Sequence, residues 1–203
     1  MSAGRFSSAL ACLPVRNDPM LTVTLTVLAA IYLFVSLLVL APRKTDYSHF
    51  RHTISEIGEV GAPDQRFVAF GLFLPIGLLL LVVAYLARSA FPAAGMLALS
   101  IAVGYLMAVV FPCDPGSPVL GSARQTLHNL GGAVEYIGGG FALMVLAESL
   151  GQPFEIAGFL VLGSAIALSL LPSTSVRGLV QRVAEVCLFG GLALAIWRAG
   201  GAS

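Results

Sequence analysis

Residues 20–41 read MLTVTLTVLAAIYLFVSLLVLA, a run without one charged side chain, stopped by Pro42-Arg43-Lys44. A bilayer's hydrocarbon core is about 30 Å thick, and a helix of about 20 apolar residues crosses it. This run therefore predicts a membrane-spanning helix, and the same pattern recurs along the rest of the chain. Further spans are expected at Phe67–Ala87, Ala93–Val110, about His128–Leu150, about Phe154–Leu171 and about Leu179–Trp197. Pro75 falls inside the second, where a proline bends a membrane helix without ending it. Only a few residues separate the second span from the third, which predicts an antiparallel hairpin.

Composition agrees with this reading. Hydrophobic residues make up 58% of the 203 and charged ones 10%, with a mean hydropathy of +0.93. Soluble domains carry about 25% charged residues. The expected fold is thus all-α, a polytopic six-transmembrane-helix bundle over residues 20–198, preceded by an N-terminal tail at 1–19. A net charge of +1 leaves no basic face for phosphates, which excludes nucleic acid as a partner. Cys12, Cys113 and Cys187 are too scattered for a disulfide framework. Ala-Leu-Ala-Cys at 9–12 hints at a lipoprotein cleavage box, but the apolar run before it is shorter than a signal peptide needs.

Six spans put both termini on one side of the membrane and the loops after spans one, three and five on the other. The first of these, Asp46 to Asp64, reads DYSHFRHTISEIGEVGAPD and holds two of the three histidines and four of the ten acidic residues. The second is the Phe111-Pro-Cys-Asp-Pro-Gly-Ser-Pro turn and the third Pro172-Ser-Thr-Ser-Val-Arg177. Seven of the eleven basic residues lie on that side, but Arg51, Arg66, Arg124 and Arg182 are candidates for a site, so charge alone does not orient the protein.

Polar, titratable density between spans marks a site. His49, His52, Ser55 and Glu56 fall on neighbouring positions of a helical turn, and the run Thr53–Ile57 before Gly58 reads as a short interfacial helix. Glu135 lies inside span four, seven residues beyond His128 and therefore on the same face, with Gly131 and Gly132 between them. Arg182 opens span six, where it either snorkels or turns inward to Asp114 or Glu135, whereas Glu185 sits closer to a helix end and Glu148 near the far interface. Tyr47, Tyr136 and Trp197 are expected at the membrane interface.

Three readings of these residues stand side by side. His52, Asp114 and His128, with His49 or Cys113, are the ligand types for a divalent metal such as zinc in a membrane hydrolase acting on a lipid-like substrate. Alternatively His52, Ser55, Glu56, Asp114, His128, Glu135 and Arg182 line a metal-free pocket for a lipid headgroup, a quinone or a small solute, with membrane lipids as partners. In the third, Ser55, Glu56, Asp114, His128 and Arg182 form a hydrogen-bond and ion-pair network in a scaffold or accessory subunit of a larger membrane complex. No tight catalytic motif separates the three, and no residue is identified as catalytic.

Four segments in order, His52-Thr-Ile-Ser55-Glu56-Ile-Gly58, Phe111-Pro-Cys-Asp114-Pro-Gly116, His128-Asn-Leu-Gly131 and Gly178-Leu-Val-Gln181-Arg182, resemble the bacterial domain-of-unknown-function 998 (DUF998) membrane family, which is grouped distantly with eukaryotic Frag/DRAM/Sfk-like proteins. The resemblance covers about residues 20–198. It implies six helices in a bacterial cytoplasmic membrane and a shared interfacial site at Ser55, Glu56, Asp114, His128 and Arg182, and it brings no established activity.

Overall fold

The computed structural model describes residues 18–172 and 175–200. Apart from Asp18 and Pro19, the expected tail with Cys12 lies outside the described residues, as do Ser173 and Thr174. Six helices are long and apolar enough to cross a membrane: α1 (Pro19–Arg43), α2 (Gln65–Ala87), α3 (Pro92–Val110), α4 (Ala123–Leu150), α5 (Gln152–Leu170) and α6 (Arg177–Gly200). They run in a ring in chain order, with α6 closing on α1 and α3 meeting α6 across the middle.

Local chemistry sets the ends. Asp18 caps α1 by accepting from the Met20 and Leu21 amides, with Pro19 at the first helical position, where its missing N–H costs nothing. The Ser122 hydroxyl accepts from the Gln125 amide at 3.2 Å and starts α4 five residues before the expected His128. Gly151, at φ +88°, makes the turn between α4 and α5, a conformation that favours glycine.

Pro75 has no N–H to give the Gly71 carbonyl one turn earlier. The helix answers in two ways: Val68–Phe73 widens into a π-helical segment, and the Tyr32 hydroxyl of α1 donates to the stranded Gly71 oxygen. The span therefore bends and continues. A second π-helical segment, Val134–Gly138, interrupts α4 and carries Glu135 and Tyr136.

The interior is apolar, with Leu33, Leu80, Leu97, Ile101, Leu143, Leu188 and Leu192 fully buried. The outer surface is apolar as well. Leu38, Phe70, Met96 and Ile166 are each more than 60% exposed, as expected of side chains that meet lipid. Between helices there is little hydrophobic drive in lipid, so close packing relies on small residues. At the α4–α5 crossing a Cβ on Gly158 would lie 3.1 Å from the Gly140 carbonyl, and one on Gly140 would meet Leu162.

Candidate functional site

The three loops expected to share one face are hydrogen-bonded into a single cap. Loop one meets loop two where the Val60 amide donates to the Cys113 carbonyl (3.0 Å) and the Gly116 amide to Glu59 Oε2 (2.8 Å). It meets α6 where the Gly178 and Leu179 amides donate to the Arg51 and Phe50 carbonyls, giving partners to the orphan N–H groups of that helix start. A side chain at Gly178 would strike the His49 and His52 carbonyls. Arg177 completes the cap by donating to the Ser117 carbonyl at 2.8 Å and, at 3.4 Å, to that of Gly116.

Four of the seven candidate residues build this cap. Glu56 Oε1 accepts from the amide and hydroxyl of Thr53 (2.8 and 3.0 Å), tying the short turn Ser55–Gly58 to the stretch of chain before it. That turn is shorter than expected and excludes His49 and His52, which flank the Tyr47 ring, each with its centroid 5.5 Å away. Asp114 accepts from the Ser122 amide and hydroxyl and from Arg124, and these donors hold its carboxyl below the usual range. His52 Nδ1 accepts from the Ser48 amide, so in the neutral ring Nε2 carries the proton and neither nitrogen is free as a ligand.

Arg182 does not reach Asp114 or Glu135. It donates to the carbonyls of His52 (3.1 Å) and Gly178 (2.8 Å), to the Tyr47 hydroxyl (2.8 Å) and to His49 Nδ1 (3.0 Å). Burial pushes the Tyr47 phenol up to about 12 in spite of Arg182, so it stays protonated and donates to the Thr53 carbonyl. Burial, with Arg182 adding to it, lowers His49 below the ordinary histidine value. Among the described residues no three His, Cys, Asp or Glu side chains are gathered to hold a metal ion. The expected set of His52, Asp114 and His128 is not brought together. Cys113 is 1% exposed, and burial, with Glu59 and Glu56 adding to it, pushes its thiol up to about 12, the opposite of an activated nucleophile.

Under the cap lies a cavity of about 980 Å³, at the upper end of the usual range for ligand sites. Ser55, His128 and Glu135, the remaining candidates, line it. Thr53, Ile54 and Ser55 form the roof, and Arg177, Gln181 and Glu185 come in from α6. His128 Nδ1 lies 2.9 Å from the Phe111 carbonyl; since a carbonyl only accepts, Nδ1 donates and Nε2 has no partner among the described residues. Nothing lies within 4 Å of a Cβ on Gly132, which keeps that wall open, while Gly131 packs against Met107.

The floor is a pair of carboxyls. Glu185 Oε1 accepts from the Tyr136 hydroxyl (2.9 Å) and Oε2 from the Tyr105 hydroxyl (3.1 Å). Gln181 Nε2 donates to Tyr136, and Gln181 Oε1 accepts from the Ile54 amide, linking floor to roof. The Glu135 carboxyl touches that of Glu185, and its Oε1 is buried with no donor against it. It fits only because residue 104 is glycine: a Cβ there would overlap the Glu135 carboxyl. Tyr136 is therefore an interior residue and not the interfacial one expected. Glu185, ranked below Glu135 by its place near a helix end, is the better-held half of the pair.

One side of the cavity is open. Leu130, Ile137 and Phe141 of α4 and Ile166 and Leu170 of α5 line it, and each is 45% exposed or more. The second half of α4 packs closely on α5, but its first half, Ala123–Ala133, has no comparable packing there. The two helices form a V that closes at Gly140–Gly158 and parts towards the loops.

No curated protein and no solved structure shows a significant match to the chain. Residues 27–198 match the family described as "Protein of unknown function (DUF998)", a region that takes in all of the cap and the cavity. The chain belongs to the DUF998 family.

Proposed function

We propose that the protein binds an amphiphile of the bilayer, a lipid or lipid-like molecule, in the cavity under the cap, and that the molecule passes in sideways between α4 and α5. The membrane would be the cytoplasmic membrane of a bacterium. The observation that carries the reading is a mostly apolar cavity, with a few polar and charged groups at its two ends, whose open side runs among exposed apolar residues. A water-soluble ligand has no use for such a side, whereas an amphiphile can keep its chains in lipid while its polar end exchanges bilayer for buried donors and acceptors. Two residues that line the cavity each carry a buried polar atom with no partner among the described residues, Arg177 Nε and Glu135 Oε1. Buried polar atoms are normally paired, so a ligand that supplies the missing partners is favoured.

Gly132→Phe tests this, because Gly132 lines the cavity and a Cβ there meets nothing within 4 Å, so the added side chain starts into open space. After detergent washing, native mass spectrometry should find lipid retained stoichiometrically by the wild type and lost from the variant, with thermal stability unchanged within about 0.5 kcal/mol. Equal retention by both would show that bound lipid sits on the outer surface, and the reading would fail.

A further inference from the structure

The two ends of the cavity carry opposite charge chemistry. At the loop end is the Arg177 guanidinium, 6% exposed, which among the described residues is held by two backbone carbonyls and has no partner at Nε. The described ion pairs are Arg43–Asp64, Lys44–Glu59 and Arg124–Asp114, so Arg177 has no carboxylate of its own. At the floor are Glu135 and Glu185, 6% and 2% exposed, with no ion-pair partner either. Arg182 bears on Glu185 only through space, since its own donors are spent on Tyr47, His49 and backbone. Arg177 and Glu185 are two turns apart on α6, about 12 Å of rise, with Gln181 between them.

Two carboxyls in contact away from water are stable with a proton between them or with a cation against them. The tyrosines supply hydroxyl donors to Glu185 alone, while Glu135, which also lines the cavity, has no donor against its buried Oε1 among the described residues. An ammonium supplies several donors and a positive charge at one point. An anionic group answers the charge-assisted donors of a guanidinium in the same way. Both needs are met by one molecule if it carries an anion and an ammonium a short arm apart.

Resting on the lipid-binding reading, we infer that the cavity selects a zwitterionic amphiphile, its phosphate towards Arg177 and its ammonium on the Glu135–Glu185 pair. The π-helical segment at Val134–Gly138 has a role in this arrangement: it turns Glu135 and Tyr136 together into the cavity, as such segments often do at functional sites.

The test separates headgroup choice from lipid binding. The purified full-length protein is equilibrated with equal amounts of phosphatidylethanolamine and phosphatidylethanol of matched acyl chains, which differ only in the ammonium, and retained lipid is read by native mass spectrometry. The wild type should retain the ammonium-bearing lipid by about tenfold over the other. Glu135→Gln, and separately Glu185→Gln, whose side chain keeps its size although its single oxygen can accept from only one of Tyr105 and Tyr136, should bring the ratio towards one. Lipid retained by the wild type without preference overturns the selection and leaves lipid binding standing; a bare cation on the carboxyl pair would give that same result. A preference that survives in both variants also overturns it, since the carboxyls would then not be reading the ammonium. No retained lipid at all overturns both. If either variant fails to fold, the wild-type ratio alone decides.

Discussion

Arg182 and Gln181 are adjacent in sequence and 100° apart around α6, and that angle divides cap from cavity. Gln181 turns to Tyr136 and the cavity, Arg182 to Tyr47, His49 and the His52 carbonyl. Hydrogen bonds to a charged group contribute about 1.5–3 kcal/mol net. Arg182→Gln should therefore lower unfolding free energy in detergent by about 2 kcal/mol or more, while Arg198→Gln, whose exposed guanidinium makes a single bond to the Leu150 carbonyl, should cost clearly less, about 1 kcal/mol or under. Equal small losses in a denaturation series would mean that Arg182 merely reaches for the interface. His49 adds a pH dependence of known sign. Its folded value lies below the ordinary one, about 6.5, because burial and Arg182 disfavour the charged ring. Its contribution is then fully present above about pH 6.5, and it is lost as the pH falls, because the unfolded chain takes up the proton first. The melting temperature should drop between pH 7.5 and 5.5, and His49→Gln, which keeps an acceptor for Arg182, should drop less. A variant with the same acid loss would place the titrating group elsewhere.

At the scale of elements, the α4–α5 crossing decides whether the cavity has an open side. Gly158 is in contact with Gly140, so a branched side chain there must force the helices apart. Gly158→Ile should destabilise the protein by about 1–3 kcal/mol, read as a lower denaturation midpoint, whereas Gly163→Ala on the same helix, with nothing within 4 Å of its new carbon, should be neutral. The six helices themselves were legible in the sequence because hydropathy over 20 residues is a local property. The same holds for the α2–α3 hairpin, whose turn is too short for any other arrangement. Glu135 was legible as an acid inside a span. Its partner was not: what makes Glu185 important is Tyr105, 80 residues away, and Tyr136 from a third helix. The one local sign was Gln181 and Glu185 four apart on a single face of α6. The expected ligand set of His52, Asp114 and His128 went astray for the same reason, since side-chain type and loop proximity were visible but the local partners that occupy His52 and Asp114 were not.

At the scale of the molecule, the cap makes topology testable. With six crossings the loops after α1, α3 and α5 share a side, and their mutual hydrogen bonds leave no alternative in which one of them lies across the membrane. Cysteines introduced at Thr45 and Leu120 are exposed on the cap side, and at Ala90 and Gln152 on the terminal side. The native Cys113 is buried and its thiol is held neutral, so it should not react with a maleimide unless the cap unfolds. In sealed vesicles or cells, a membrane-impermeant maleimide should label Thr45→Cys and Leu120→Cys together, and Ala90→Cys and Gln152→Cys only after the membrane is opened, or the reverse. Which pair labels first also gives the orientation that the basic residues left open. Labelling of Thr45→Cys and Leu120→Cys from opposite sides would break the cap, and with it the roof of the cavity. Protection of Cys113 in the same sample is the internal control: if it reacts as fast as Leu120→Cys, the cap is open in the membrane and the cavity beneath it is exposed to water.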